Sequence, residues 1–479
     1  MQIIRLIFLF PFSLIISCSQ IAFAQNSWTL EDCILKAWDN NLTIKQQELN
    51  LELSEAHLLQ SKLSLLPNLN AGINGAMNFG RSVDPTTYEF VTQTIQTSSA
   101  SLTSSWTLFS GFRKWNFIKQ NQFDLKASQL DLQKAKESIA LTVTSYYLLV
   151  LFGYEEEEIA SQQFDLIQLQ YERMDKLVKS GSLPEGSLLE IDAQRKRDEL
   201  TLINAQNNLQ SALLNLKLLL DLESNTTIEI VRPDLPDPDT KLVYLLDPAA
   251  IYQTAITTKP QIGSSEFRLQ SAEKGLAIAR GAHSPSISFF ANLSTNYADI
   301  AKRISNIYPL EDGQIGYVEN DTSLHVLAPQ FGFDFEEVPF ADQLEDNFSR
   351  AIGVSMNIPI FNNWQTNGQV RQAKLNYLNA QYSVDIQKQE LMKDIQQAYS
   401  DAVAAAETYK ATQSSMNAID KSFYYTEQRF NAGLVNAYEY NLAKQNLSVA
   451  ESQLLRAKYD FIFKMKVLDF YQGYQINLN

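Results

Sequence analysis

The sequence predicts an α+β membrane protein in which a few strands from each of several chains share a transmembrane β-barrel and long helices continue it on one side. Three observations carry that expectation. Four stretches alternate apolar and polar residues with period 2, two long runs are almost free of helix breakers, and the whole pattern occurs twice.

The N-terminus, MQIIRLIFLFPFSLIISCSQIAFAQ, has Arg5, an apolar run from Leu6 to Ile16 and then Ala22-Phe23-Ala24, the marks of a secretory signal peptide over 1–24. Ile15-Ile16-Ser17-Cys18 also fits a lipoprotein box, so acylation at Cys18 is the rival to cleavage after Ala24. Cys33 has no disulfide partner to expect, and an exported chain this long without bridges must be held by packing. Beyond the leader no run reaches the ~18 to 20 apolar residues of a spanning helix, so any bilayer crossing must use strands. The net charge of −15 argues against nucleic acid, whose phosphates would be repelled. It fits ordinary solubility or a pathway favouring cations.

Length alone would allow about three domains of ~150 residues, but the repeat divides the mature chain differently. A first repeat covers 25–220, a connection 221–248 and a second repeat 249–479. From Trp28 to Leu65 the chain reads as a helix, with Leu30, Ile34, Ala37 and Trp38 on one stripe. Pro67 ends it. A strand follows over 68–79, where Leu69, Ala71, Ile73, Met77 and Phe79 alternate with asparagines, a wet wall rather than a soluble core. The second strand, 94–109, puts Leu102, Trp106 and Leu108 on one face and Ser101, Thr103, Ser105 and Thr107 on the other.

Between Arg113 and Lys179 there is no proline, and Leu132, Ile139, Val143, Tyr146 and Val150 form a coiled-coil-like stripe. At ~1.5 Å per residue that run is about 100 Å long. The Glu155 to Glu158 cluster reads as a solvated face, having no His or Cys near it. Gly181 reads as a helix C′ residue, and Ser182 with Glu185 as a capping box opening the returning helix. The prolines at 233, 236, 238 and 248 mark the connection.

The second repeat runs through the same sequence of elements, with strands over 286–297 and 350–361. Ser284-Pro285-Ser286-Ile287 lies 218 residues after Leu66-Pro67-Asn68-Leu69. Further on, Phe361 lies 252 residues after Phe109, Gly433 252 after Gly181 and Leu468 252 after Leu216. The difference of 34 residues falls in an acid-rich loop, Asp299 to Ser349, which carries no metal-ligand spacing.

Four strands of ~10 residues suit a transmembrane barrel but cannot close one, since ~8 is the observed minimum. Open edges in lipid would leave backbone groups unpaired at several kcal/mol each, so copies must share the barrel. Eight strands from two chains would be filled by their own side chains, whereas twelve from three leave a lumen. A homotrimer is therefore expected, its helices continuing the wall as an α-helical tube.

ARGAHSPSIS before the third strand, VSMNIPIFNN at the fourth and RFNAGLVNAYEYNLA at the second hairpin tip resemble the TolC family of outer-membrane efflux proteins. With the duplicated helix-strand-strand-helix-helix layout, the resemblance covers nearly the whole mature chain. It implies a trimeric channel in the outer membrane of a Gram-negative bacterium, with a 12-stranded barrel and a coiled-coil periplasmic tunnel. The implied function is an exit duct of a tripartite efflux or type I secretion system, docking with a periplasmic adaptor and an inner-membrane pump of RND or ABC type. The resemblance also implies that the adaptor grips the hairpin tips, here Gly181, Ser182 and Leu183 in the first copy and Gly433, Leu434 and Val435 in the second. An acid six residues past the tip glycine, which narrows the tunnel entrance in the family, falls on Glu439. The equivalent of that place in the first copy is Ser187. A second family acid, nine past the glycine, is Leu442 in the second copy and Glu190 in the first.

Asn436 to Glu439 is also a capping box, so structural capping stands beside gating for Glu439. Tyr424, Tyr425, Tyr438 and Tyr440 read as packing residues. His57, His283 and His325 have no nucleophile or ligand pattern around them, and neither catalytic acids nor a phosphate-cradling loop appears. No enzyme activity, metal or cofactor is expected. The rival from another class is a non-conducting periplasmic scaffold anchored in the outer membrane.

Overall fold

The computed structural model describes residues 27–474 apart from 84–87, 93, 224–225, 234 and 320. Both expected fates of the leader, cleavage after Ala24 and acylation at Cys18, lie outside the described residues. The chain begins with β1 (Ser27–Trp28), α1 (Leu30–Asn40), α2 (Leu42–Leu63), β2 (Asn68–Asn78), β3 (Arg81–Val83), β4 (Phe90–Thr92) and β5 (Ile95–Ser110). It continues with α3 (Arg113–Lys179), α4 (Glu185–Leu219), β6 (Glu229–Ile230), α5 (Pro248–Thr258), α6 (Pro260–Gly281) and β7 (Ser286–Ala298). Then come β8 (Lys302–Pro309), β9 (Gly313–Val318), β10 (Asp321–Ala328), β11 (Phe331–Glu337) and α7 (Phe340–Asp346). The last elements are β12 (Ser349–Asn357), α8 (Gln365–Asn431) and α9 (Ala437–Gln472). Helices α3 and α8 both have 67 residues, and each bound of α8 lies 252 residues after that of α3.

Two compact units partition the chain. One takes the described residues of Met1–Gln46, Gln133–Lys259 and Glu390–Asn479, the other Gln47–Leu132 and Pro260–Gln389. Each draws on both halves of the chain, and in the second unit strands of the two halves pair.

In the second of these units, four antiparallel strands form a sheet of order β12-β7-β5-β2. The central pairing joins the two repeats, with Leu102 opposite Leu293 and Trp106 opposite Phe289. Register puts Leu69, Ile73, Leu102, Leu293, Ile352 and Val354 on one face, and all six are exposed. The other face carries Asn70, Thr103, Asn292 and Ser355, together with Phe290, whose ring lies over Gly353. The fourth strand stops at Asn357, short of the expected 361. Asn357 pairs with Ser286, the first residue of β7, so no partner remains beyond it, and Pro359 has no N–H to offer.

The expected loop between Asp299 and Ser349 is instead a β-ribbon. Strand β8 pairs with β11 and β9 with β10, and α7 follows. Its alternation was obscured by bulges in both pairings. Where α6 passes the start of α3, Gly111 and Gly281 meet so closely that a Cβ on either would fall within 3 Å of the other's backbone. Phe123 stacks on Phe267, and Asp131 accepts from Ser264 at 2.6 Å and pairs with Arg268 at 2.5 Å.

The first-named unit holds an apolar core around Cys33, Ile34, Tyr147, Val150, Leu151 and Leu216. Burying a side chain of this size stabilises by about 1.5–3 kcal/mol. The leading helix begins at Leu30 rather than Trp28, because Thr29 and Asp32 close a reciprocal capping box. It breaks at Asn41, whose side chain accepts from the N–H of Thr43 and starts α2. Trp28 joins a short parallel pair with Ile230 in the connection, and Tyr147 donates to the carbonyl of Val231 at 2.6 Å. Contrary to expectation, α3 does contain a window apolar enough to cross a bilayer. Its Val143, Tyr147, Leu148 and Val150 are consumed by this core. Burial pushes the Cys33 thiol up to about 12, so it is an inert packing residue.

Candidate functional site at the two helix-hairpin tips

Both tips are built by the same backbone device. At the first, Gly181 has φ +74 and bonds Val178 O at 2.9 Å, while Ser182 N reaches Leu177 O at 2.9 Å. At the second, Gly433 has φ +73 and bonds Phe430 O at 2.9 Å, while Leu434 N reaches Arg429 O at 2.9 Å. These paired bonds satisfy the last carbonyls of α3 and α8, and the left-handed residue between them favours glycine. Nothing lies within 4 Å of a Cβ built on either glycine, so conformation and not space requires them. Ser182 and Leu434 are exposed; Leu183 and Val435 are half-buried.

The tips differ at the start of the returning helices. The expected box between Ser182 and Glu185 does not form: Pro184 is the N-cap of α4 without a side-chain bond, and Ser182 faces the Ser180 hydroxyl at 2.9 Å. Proline at that position moves the helix start two residues on. In α9 the Asn436 side chain accepts from Glu439 N at 2.9 Å. Capping is thus done by Asn436 and the Glu439 backbone, and the exposed Glu439 carboxylate has no part in it. Glu190 is exposed and Ser187 half-buried; among the described residues no hydrogen bond or ion pair joins either to Glu439.

Of the four tyrosines expected to pack, Tyr440 does so between the two helices, and among the described residues Tyr424 and Tyr425 meet only each other, edge to face at 5.7 Å. Tyr440 stacks on Phe430 at 4.6 Å and approaches Phe423 at 5.6 Å, bracing α9 against the end of α8. Tyr424, Tyr425 and Tyr438 are exposed.

Sequence reading missed a polar layer between α4 and α9. Gln194, almost wholly buried, donates to Asp198 at 2.7 Å and accepts from Arg197. Opposite, the Asn441 side-chain oxygen and the Lys444 ammonium are buried without a hydrogen bond among the described residues. Burial pushes Asp198 up and Lys444 down, and each partly offsets the shift of the other. One lysine inside a polar run gave no periodic signal. The Glu155 to Glu158 cluster is not merely a solvated face: Glu155 accepts from Tyr459, Glu156 from Ser452 and Glu157 from Gln206. Among the described residues no acid or His cluster is arranged to hold a metal ion.

A sheet with an exposed apolar face, joined to helical hairpins, has the features of a protein whose strands enter a membrane. The chain belongs to the outer membrane efflux protein family, whose model matches residues 34–221 and 251–463. It is 20% identical over 439 residues to the outer membrane efflux protein BepC of Brucella suis, a match covering 91% of this chain and 83% of that protein. A shorter match, 24% over 123 residues and 26% of each chain, is to the alkaline protease secretion protein AprF of Pseudomonas aeruginosa. Among solved structures, the Campylobacter jejuni CmeC outer membrane channel aligns with a TM-score of 0.69 at 19% identity, covering 93% of this chain and 85% of that one. The protein is thus an outer-membrane channel that extends into the periplasm, as the resemblance implied, and its family is one of channels rather than enzymes.

Proposed function

We propose that the chain is the outer-membrane exit duct of a tripartite efflux or type I secretion system. It works as a homotrimer, with three four-stranded sheets closing one 12-stranded barrel. The observation that carries this reading is the sheet order β12-β7-β5-β2, whose two outer strands have edges with no further strand partner among the described residues while an apolar face is exposed. In hydrocarbon those edges must be paired, and copies of the same chain supply the partners. The polar face then lines the lumen. The duplication accounts for two hairpins per chain, hence six tips around the duct.

A periplasmic adaptor grips the tips at Gly181, Ser182, Leu183, Gly433, Leu434 and Val435, and an inner-membrane pump of RND or ABC type delivers the substrate. Glu439, with Ser187 and Glu190, lines the narrow entrance, where a ring of carboxylates favours cations. The test is conductance of the purified protein in planar bilayers. Discrete steps are expected; a silent protein would leave the scaffold anchored in the outer membrane as the reading.

A further inference from the structure

The ribbon between β7 and β12 is amphipathic. In its basal half Phe331, Phe333 and Phe335 share one face with Ile304 and Ile307, and all five are exposed. The opposite face is polar, with Asn306 donating to Asp334 and Arg303 paired to Glu336 at 2.6 Å and to Asp342 at 3.3 Å. A two-stranded ribbon is marginal in water by itself, and an exposed phenylalanine row is an association surface. The base of the ribbon is held to the sheet. Gln343 accepts from Ala298 N at 3.0 Å and donates to Val338 O at 2.8 Å, and Phe340 meets Tyr297 edge-on.

We propose that the apolar face of this ribbon packs against the β3–β4 hairpin of the next copy of the chain, sealing the outer end of the seam between neighbouring sheets. The inference rests on the ring of copies proposed above. In such a ring β12 of one copy lies beside β2 of the next. The ribbon enters β12 at Ser349, and β2 leaves through Asn78 into the hairpin. Register sets Ser349 level with Gly72, but the ribbon starts just past Ala298, which lies level with Thr97 and Ala76, two residues from Asn78, so the ribbon base and the hairpin leave the same end of the sheet at nearly the same height. The hairpin presents Phe90, with the Arg81 guanidinium 4.6 Å from its ring centre. The segment from Asp299 to Ser349, with eleven acidic residues and two basic ones, is opposite in charge to that cation. The same acidity repels the phosphates of a lipid surface, which favours a protein cover over a membrane one.

The test uses the full-length protein in outer-membrane vesicles with Phe333→Cys and Phe90→Cys combined. Oxidation is expected to give covalent trimers, because each ribbon meets the next hairpin around a closed ring, while each single variant stays monomeric. Cysteine pairs scanned along β12 and β2 report the ring separately. Cross-linking of those edges without the ribbon pair overturns the proposal and leaves the ring standing; failure of both removes the ring as well. Dimers from Phe333→Cys alone would mean that ribbon meets ribbon. A spin label at that position with the oxygen accessibility of lipid would mean that it lies in the membrane. Either result overturns the proposal.

Discussion

The Lys259 ammonium lies 3.2 Å from the centre of the Phe470 ring and 3.2 Å from a Glu137 carboxylate oxygen, with only 5% of its side chain exposed. The three residues border a cavity of about 740 Å³. Burial pushes the lysine below its usual value, and Glu137 offsets part of that shift. The fold therefore disfavours the charged form. That cost is present below the folded-state value and disappears as pH rises toward 10.5, where the unfolded chain is also losing its proton. Thermal unfolding of the solubilised protein should show stability rising over this alkaline window. Lys259→Met should flatten the rise.

Gly111 and Gly281 leave no room for a side chain, and Gly111 also has φ +63. Gly281→Ala is expected to cost about 1–3 kcal/mol by overpacking, and Gly111→Ala more, because left-handed strain adds about 1–2 kcal/mol. Denaturant unfolding followed by circular dichroism checks both.

Gly181→Ala and Gly433→Ala meet open space, so each should cost only the left-handed strain, about 1–2 kcal/mol. A large loss of adaptor capture in either variant, at nearly unchanged melting temperature, would then report on docking. Capture of the adaptor by the immobilised protein measures it.

Asn436 and Glu439 separate by role. Asn436→Ala removes the bond to Glu439 N and should cost about 0.5–2 kcal/mol. Glu439→Ala leaves that bond intact, so its stability should hold while single-channel conductance rises or cation preference falls. An unchanged current with lowered stability would return Glu439 to a capping role.

Some of this was legible in the chain because it is written in local periods. Asparagine alternating with Leu69, Ile73 and Met77 can only be a two-faced strand, and glycines at 181 and 433 after long unbroken helical runs mark the turns. Both depend on neighbours within a few residues. Glu439 was ambiguous for the same reason, since Asn and Glu at that spacing describe a cap whether or not the acid side chain takes part.

What the sequence by itself determined is therefore the kind of most long elements, the 252-residue offset between its two long helices and the membrane class, all carried by side-chain alternation along the backbone. Tertiary structure alone decided that β5 and β7 of different repeats pair at the centre of the sheet and that Gly111 must clear Gly281. It also decided that Lys259 is buried against Phe470, and that an acid-rich loop folds as a ribbon with one apolar face. The physical reason is range: these depend on residues brought together from distant parts of the chain, whose contacts leave no period behind.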